Sequence, residues 1–299
     1  MPESYPQTKP KACNYALGFV RSELLVIYDA EDIPDIMQLR RVAAKFKAWG
    51  SEIDCVQCQL SFYNNENWLC TMFALEYKIL FEYVLVALDY LNMPIPLGGT
   101  SNHLRVDKLK QLGGWDSFNV TEDAELGIRL SRNGMKTCVL ASRTLEEAPN
   151  SIPVWIKQRT RWIKGYMQTY AAHTRQPIDF IKKIGGKEFI LWTLLMFVPM
   201  ISFISLPIVC IMALFAPKDI AITLGTMVVF NCISLLYCSY HAKKSTNYMC
   251  SKMINRWWWS YPIYFILHSL AALRAVYQLF TDLHLWEKTP HGLTKTKIY

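Results

Sequence analysis

The sequence has few charged residues and no apolar segment at its start. Asp, Glu, Lys and Arg make up 19% of the 299 residues, whereas Phe, Trp and Tyr make up 13%. This composition excludes an intrinsically disordered chain, which combines high charge with few aromatic side chains. The stretch before Leu24 is broken by prolines and has no apolar core, so it does not resemble a secretory signal peptide.

Cysteine is present, but not in the pattern of a disulfide-rich domain. The nine cysteines are odd in number and spread along a long chain, which excludes a small disulfide scaffold. Cys55 and Cys58 form one CxxC motif, and no second pair completes a zinc site. They lie in 53–60, an alternating stretch typical of a strand, so core packing is favoured over metal binding.

Charge is absent from two long stretches in the second half. Residues 189–216 and 220–240 contain no charged side chain, and roughly 20 apolar residues are enough to cross a bilayer. Because only three residues separate the stretches, they predict a hairpin of two spanning helices. The chain therefore divides into a catalytic-type part, 1–188, and a membrane region, 189–299.

A third apolar segment, 257–280, is interrupted by His268 and Arg274. It predicts a helix that either spans the membrane or lies in its interface. The preceding loop is basic, which predicts a cytosolic loop and a cytosolic catalytic part in a multi-pass protein of the inner (cytoplasmic) membrane. Basic residues in the tail indicate the same side, and this favours the interfacial alternative. The basic residues concerned are Lys243, Lys244, Lys252, Arg256, Lys288, Lys295 and Lys297.

The first half alternates between strand and helix patterns. An apolar run over 24–28 predicts a buried strand, and periodic patterns predict helices over 35–49, 68–91 and 104–112. Such alternation predicts an α/β sheet that binds ligands at the carboxyl ends of its strands. The net charge of +8 does not indicate nucleic acid, because the basic residues cluster near the membrane region and no recognition motif is present.

Two clusters follow predicted strands or precede predicted helices. The sequence 29–32, Asp-Ala-Glu-Asp, comes directly after a strand, where carboxylates hold a divalent cation and a diphosphate or simply form a solvated turn. Gly98 and Gly99 precede the predicted helix 104–112, so this loop either brings a helix N-terminus to an anion or is a plain connection.

Two further clusters lie at predicted helices. Thr121 is a candidate N-cap that places Asp123 in the first turn, either as a base or as an ordinary first-turn acid. Gln158, Arg161 and Trp162 are spaced i, i+3 and i+4 and therefore share one helix face. An amide, a cation and a ring together suit a charged leaving group beside a sugar, or else contact with a lipid surface.

In this order, the clusters resemble the motifs of membrane-bound family 2 glycosyltransferases, the group of cellulose, chitin and hyaluronan synthases. The family's D-x-D, T-E-D and Q-x-x-R-W motifs correspond to 29–31, 121–123 and 158–162, and 286–292 resembles a segment that follows the membrane helices of relatives. The resemblance covers residues 9 to 292. It implies an α/β catalytic domain of the GT-A type, here partial, followed by α-helical transmembrane segments.

The resemblance also implies a reaction and the residues that perform it. A sugar passes with inversion from a nucleotide-diphosphate sugar to a hydroxyl of a glycan or lipid acceptor. The roles by resemblance are Asp123 as catalytic base, Asp29, Gln158 and Arg161 as ligands of the nucleotide and diphosphate, Trp162 and Glu122 as acceptor contacts, and Asp29, Glu31 and Asp32 as ligands of Mg²⁺ or Mn²⁺.

The sequence departs from the family in two respects. The D-x-D motif has Glu31 as its second acid, and the nucleotide-binding β-α-β region that opens the family is not found before Leu24. The chain is therefore expected to be the C-terminal part of a transferase, as the result of truncation, a split gene or a late start codon; in the case of a split gene, a separate chain carries the missing N-terminal half. The alternative is a non-catalytic, membrane-anchored subunit or remnant of a split transferase.

Overall fold

Five strands form one mixed sheet in the computed structural model, which describes residues 5–64, 66–244, 251–283 and 285–287. The strands are β1 (Leu24–Ile27), β2 (Ile33–Pro34), β3 (Cys55–Phe62), β4 (Asn102–Arg105) and β5 (Thr137–Glu146), in the order β1-β4-β3-β5-β2. Strand β3 is parallel to β5 and antiparallel to β4, and all of its residues are buried. The α/β architecture predicted from the sequence is confirmed.

Eight helices accompany this sheet. They are α1 (Lys9–Leu17), α2 (Gln38–Trp49), α3 (Trp68–Lys78), α4 (Leu85–Tyr90), α5 (Val106–Gln111), α6 (Glu122–Arg132), α7 (Ile152–Thr174) and α8 (Pro177–Ile184). The helix predicted over 68–91 is divided, because a π-helical segment, Ile79–Val84, joins α3 to α4. Such segments occur mostly at functional sites, and this one borders the cavity described below.

The prediction that Gly98 and Gly99 lead directly into a helix is wrong. Strand β4 comes first, and α5 begins only at Val106. The reason is tertiary, because β4 fills the space between β1 and β3 and pairs with both. No helix N-terminus is therefore presented by this loop.

Cys55 and Cys58 are fully buried in β3. Cys58 packs with Val42, Phe46 and Cys138, whereas Cys55 packs in a second cluster with Leu104 and Leu109, and both thiols are free. The prediction of core packing is confirmed.

The second half is helical. Its helices are α9 (Gly186–Phe215), α10 (Lys218–Lys244), α11 (Ser251–Trp257) and α12 (Tyr261–Thr281). Three described segments are long and apolar enough to cross a membrane, namely Gly186–Phe215, Lys218–Lys244 and Met253–Thr281. The first two are largely exposed and form the predicted hairpin, whereas 39% of the third is buried within the protein.

The buried part of α12 packs against α7, and the two helices run parallel to each other. The hydrogen bonds between them join Trp155 Nε1 to Tyr264 OH (2.9 Å), Thr160 Oγ1 to Ala271 O (3.4 Å), and Lys164 Nζ to the carbonyl of Asp282 beyond the helix end (2.9 Å). The charged Arg274 of α12 forms two hydrogen bonds, of 2.6 and 2.7 Å, with Glu287. Lys252, Lys288, Lys295, Lys297 and 288–292 lie outside the residues whose side chains the structure describes.

Candidate active site

One cavity of about 700 Å³ brings the sequence motifs together. The charged residues on its wall are Lys9, Asp29, Glu31, Glu76, Glu122, Asp123, Glu146, Glu147, Arg159 and Arg161, and Gln158 and Trp162 lie beside them. Every residue implied by the family resemblance except Asp32 therefore faces a shared space.

The D-x-D loop follows β1 and is contacted by α1. Lys9 Nζ donates to the carboxylate of Asp29 and, at 2.8 Å, to the carbonyl oxygen of Gly99. Burial alone would lower the pKa of Lys9, but the Asp29 carboxylate outweighs it and the pKa is raised. Lys9 therefore stays cationic between the two loops at the cavity wall.

Asp32 stabilises the same loop from behind the cavity. Its Oδ2 accepts a hydrogen bond of 2.7 Å from the backbone N–H of Asp29 and another from the hydroxyl of Thr100. Burial raises the pKa of Asp32, although these two donors lower it in part. The family resemblance implies Asp32 as a third metal ligand. In the structure, its Oδ2 instead connects the D-x-D loop to the glycine loop.

The T-E-D residues begin α6 beside the glycine loop. Thr121 precedes the helix as predicted, but its hydroxyl lies 3.3 Å from Asn119 Oδ1 and does not cap the helix. Asp123 Oδ1 accepts a hydrogen bond of 2.8 Å from the N–H of Ala124. A Cβ at Gly99 would lie 3.4 Å from Asp123 Oδ2, which is van der Waals contact, so the glycine loop runs directly beside the proposed base.

The two acids of this motif have raised pKa values. Burial, and then the charge of Asp123, raise the pKa of Glu122 to about 8. Burial also raises the pKa of Asp123, while the Ala124 amide and the Lys9 cation oppose the shift. At neutral pH Glu122 is a hydrogen-bond donor beside Asp123.

Helix α7 contributes the Q-x-x-R-W face. Gln158, Arg161 and Trp162 all line the cavity, which confirms that they share one face. Among the described residues, Gln158 Oε1 and Arg161 Nε are buried without a hydrogen-bond partner, so each has unused hydrogen-bonding capacity. Trp162 packs against Phe73, with ring centroids 6.0 Å apart.

Arg159 has no role in the predicted motifs, but it connects α7 to α3 and α12. Its Nη1 and Nη2 donate to Glu76 of α3 at 2.9 and 2.5 Å, and Tyr264 of α12 donates to the same carboxylate at 2.6 Å. Burial raises the pKa of Glu76, but Arg159, His268 and the Tyr264 hydroxyl together lower it further, to about 2. In the sequence, Arg159 is visible only as a basic residue next to Gln158. Its pairing could not be predicted, because its acidic partner Glu76 lies 83 positions away.

Two other wall residues were missed. Glu146 is the last residue of β5, and its Oε1 is buried without a partner among the described residues. Burial raises its pKa well above the ordinary value. The rule used for Asp29, that functional side chains follow strand ends, could have found it. Trp286 lies beyond α12, and its ring centroid is 4.6 Å from Cζ of Arg161.

Comparison with known proteins agrees with this arrangement. Residues 24–277 match the family described as glycosyl transferase family group 2. The chain belongs to this family. A relative, the probable glycosyltransferase YdaM of Bacillus subtilis, is 26% identical over 166 residues, which are 55% of this chain and 39% of YdaM. The chain therefore matches about two fifths of the length of that relative.

The fold is shared with a solved glycosyltransferase. The mannosyltransferase PcManGT from Pyrobaculum calidifontis, solved in complex with GDP-Man and Mn²⁺, aligns with a TM-score of 0.56 and 16% identity. The alignment covers 91% of this chain and 68% of PcManGT. The sheet with its following helices is thus a GT-A-like domain, as the resemblance implied.

Proposed function

We propose that the protein transfers a sugar, with inversion, from a nucleotide-diphosphate sugar to an acceptor hydroxyl at the cytoplasmic membrane. The observation that carries this proposal is the single cavity in which Asp123, Arg161 and the carboxylates of Asp29 and Glu31 all lie. Such a site combines a base, an anion-binding cation and metal-binding acids. These are the groups that glycosyl transfer from a diphosphate requires.

Asp123 acts as the base that takes the proton of the acceptor hydroxyl. Its burial raises its pKa and thereby makes the carboxylate a better proton acceptor than an exposed one. Glu122 is protonated at neutral pH and donates a hydrogen bond to the acceptor. A general base of this kind contributes about 10²–10⁴-fold to the rate.

Arg161 and Gln158 bind the diphosphate as it leaves. The guanidinium packs on the Trp286 ring and its Nε has no hydrogen-bond partner among the described residues, and its planar fork suits phosphate oxygens. Lys9 adds a second cation beside the D-x-D loop. Trp162 presents its ring to the acceptor sugar from within its aromatic cluster.

Asp29 and Glu31 fit a divalent metal, Mg²⁺ or Mn²⁺. Both carboxylates line the cavity, and oxygen donors are the ligands such ions prefer. No group of three metal-binding side chains is close enough among the described residues, which agrees with an ion held by one or two carboxylates and substrate phosphates. When bound, the ion neutralises charge on the departing diphosphate.

The α9–α10 hairpin anchors the protein in the membrane, with the cavity on the cytosolic side. The Mn²⁺ and GDP-Man bound to PcManGT support a similar donor here.

Transfer by the purified full chain, in lipid nanodiscs, tests the proposal. A panel of UDP- and GDP-sugars is supplied with Mn²⁺, and the release of nucleoside diphosphate is measured with and without acceptors. Asp123→Asn should abolish release while nucleotide binding persists, because a base is removed and not a ligand. The matched control is Asp107→Asn, an exposed acid in the first turn of α5.

Nucleotide binding without release by the unsubstituted chain would instead favour the non-catalytic subunit. Release that is unchanged in Asp123→Asn would exclude Asp123 as the base. Absence of nucleotide binding would refute transfer by this chain alone and would favour a nucleotide pocket that is completed by a second chain.

A further inference from the structure

Part of the wall of this cavity is apolar, and the space beside this part is called the apolar arm here. The arm is lined by Leu80, Val84, Leu195, Met196, Phe203 and Phe265. These residues come from the π-helical segment and from α9 and α12, two of the helices that are apolar enough to cross a membrane. A single space therefore joins the proposed base to the membrane helices.

Helix α9 contributes one continuous face to the arm. Leu195 and Met196 are adjacent, Phe203 lies about two turns further along the helix, and all three are half-buried. Neighbours on the opposite face are exposed, with Leu194 at 52% and Ile201 at 48%. The arm thus lies directly behind a surface that hydrocarbon covers in a bilayer.

The charged groups that border the arm are paired with each other. Arg159 and Glu76 form two hydrogen bonds, and Tyr264 completes the carboxylate's shell. A sugar chain in the arm would leave its hydroxyls without partners, which is costly. A hydrocarbon chain has no hydrogen bonds to lose there, and its apolar surface is removed from water.

We infer that the acceptor is an amphiphile whose polar head reaches Asp123 while its hydrocarbon chain occupies the apolar arm. The inference rests on the proposed function and names its acceptor class, a membrane lipid carrying a free hydroxyl or sugar. Trp162 lines the same cavity, and its aromatic ring suits both a sugar face and a hydrocarbon chain. The substrate would enter from the membrane, and the donor from the cytosol.

Photolabelling of the full chain in phosphatidylcholine nanodiscs tests this inference. The probe is an alkyl β-glucoside with a diazirine at the end of its chain, and the labelled positions are mapped by mass spectrometry. We expect labelling of 195–203 and 261–268 that an excess of unlabelled alkyl glucoside suppresses. Compared with the glucoside, the same alkyl chain without a sugar should label the arm less. Both probes should label the exposed faces of α9 and α10 to the same extent.

A pair of tryptophan variants supplies the control. Met196→Trp fills the arm and should reduce its labelling about tenfold, as misfit groups do in apolar pockets. Ile201→Trp adds the same ring on the exposed face of α9 and should leave labelling unchanged. Thermal unfolding of both variants shows whether Met196→Trp remains folded, and Leu195→Phe, a smaller filling, replaces it if unfolding is altered.

Equal labelling of the arm and the lipid-facing surfaces in all variants would overturn the inference. So would protection of the arm by a water-soluble oligosaccharide, which would identify it as a path for a polymer. Labelling requires neither nucleotide nor turnover, so failure of the proposed transfer leaves this result readable. Transfer to soluble sugars with an unlabelled arm refutes the amphiphile alone.

Discussion

Gly165 of α7 lies directly against Thr121 at the start of α6. A Cβ at position 165 would be 2.3 Å from Thr121 Oγ1 and 2.5 Å from its Cγ2. The helix that carries Q-x-x-R-W and the turn that carries T-E-D therefore meet without a gap. Because this close approach brings the two elements together, the absence of a side chain at position 165 helps to position Arg161 relative to Asp123, the proposed diphosphate ligand and the proposed base.

Replacing this glycine should damage both stability and transfer. In Gly165→Ala the new methyl group meets Thr121, which is buried and β-branched and cannot turn aside easily. We expect a loss of about 1–3 kcal/mol in unfolding free energy, typical of overpacking. Gly225→Ala is the control, because nothing lies within 4 Å of its Cβ and alanine favours a helix. Equal thermal unfolding of the two variants would refute the contact.

The ion pair between Glu76 and Arg159 should be as important as the motif residues. Glu76→Gln leaves a buried guanidinium without its charge partner, which costs about 3–5 kcal/mol. Glu23→Gln is the comparison, since Glu23 pairs with Arg105 but has a side chain 77% exposed, and such pairs contribute about 0–1 kcal/mol. Unfolding by denaturant measures both. A small effect of Glu76→Gln would show that the pair is not a structural anchor.

The sequence predicted what depends on local pattern. Periodicity located the apolar helices and the start of α6, and the i, i+3, i+4 spacing placed Gln158, Arg161 and Trp162 on one face. The resemblance then predicted the GT-A-like fold, which the family match and PcManGT confirm. The roles of the individual site residues stay predictions.

What the sequence did not predict depends on distant partners. Residues 102–105 have the pattern of a helix start but form β4, because the sheet offers two neighbouring strands. The partners of Arg159, Lys9 and Arg161 lie between 20 and 125 positions away and could not be found by spacing. Asp32 was chosen for its charge, but Thr100 gives it a different environment.

The free energy of unfolding of the protein should decrease as the pH rises from about 5 to about 8. The folded state holds the proton of Glu122 up to a pKa of about 8, whereas the unfolded chain releases it near the ordinary value of 4.5. Because the folded state binds more protons in this range, its stability decreases as pH rises. Glu122→Gln should flatten the dependence, and the exposed control Glu52→Gln should not. An unchanged slope in Glu122→Gln would show that Glu122 is ionised.

Arg161 should be needed for product binding as well as for transfer. Arg161→Ala removes the cation whose free N–H faces the cavity, so the nucleoside diphosphate should inhibit less strongly. Arg161→Lys should rescue this only in part, because an ammonium acts as a point charge where the guanidinium forms a fork. Competition by the diphosphate against a labelled nucleotide measures the effect. Equal inhibition of all three chains would exclude the role.

The position of α12 relative to the membrane follows from what its two ends contact. Near its start, Trp68 of α3 donates to Ser260 Oγ at 2.7 Å, and beyond its end Lys164 of α7 donates to the carbonyl of Asp282 at 2.9 Å. Both partners belong to the catalytic domain, so a helix that crossed the bilayer would pull charged α7 into hydrocarbon, at high cost. We therefore expect α12 to lie in the interface with both ends cytosolic.

Labelling of single cysteines in sealed vesicles tests this topology. Lys244→Cys and Leu283→Cys should react with a membrane-impermeant maleimide from the same side, and Lys218→Cys, at the turn of the α9–α10 hairpin, from the opposite side. The unsubstituted chain gives the background from the native thiols. Position 283 is on the same side as position 244 if α12 is interfacial, and on the side of position 218 if α12 spans the membrane. Reaction of Leu283→Cys from the same side as Lys218→Cys would therefore establish three spans. That result would refute the interfacial helix while leaving the hairpin intact.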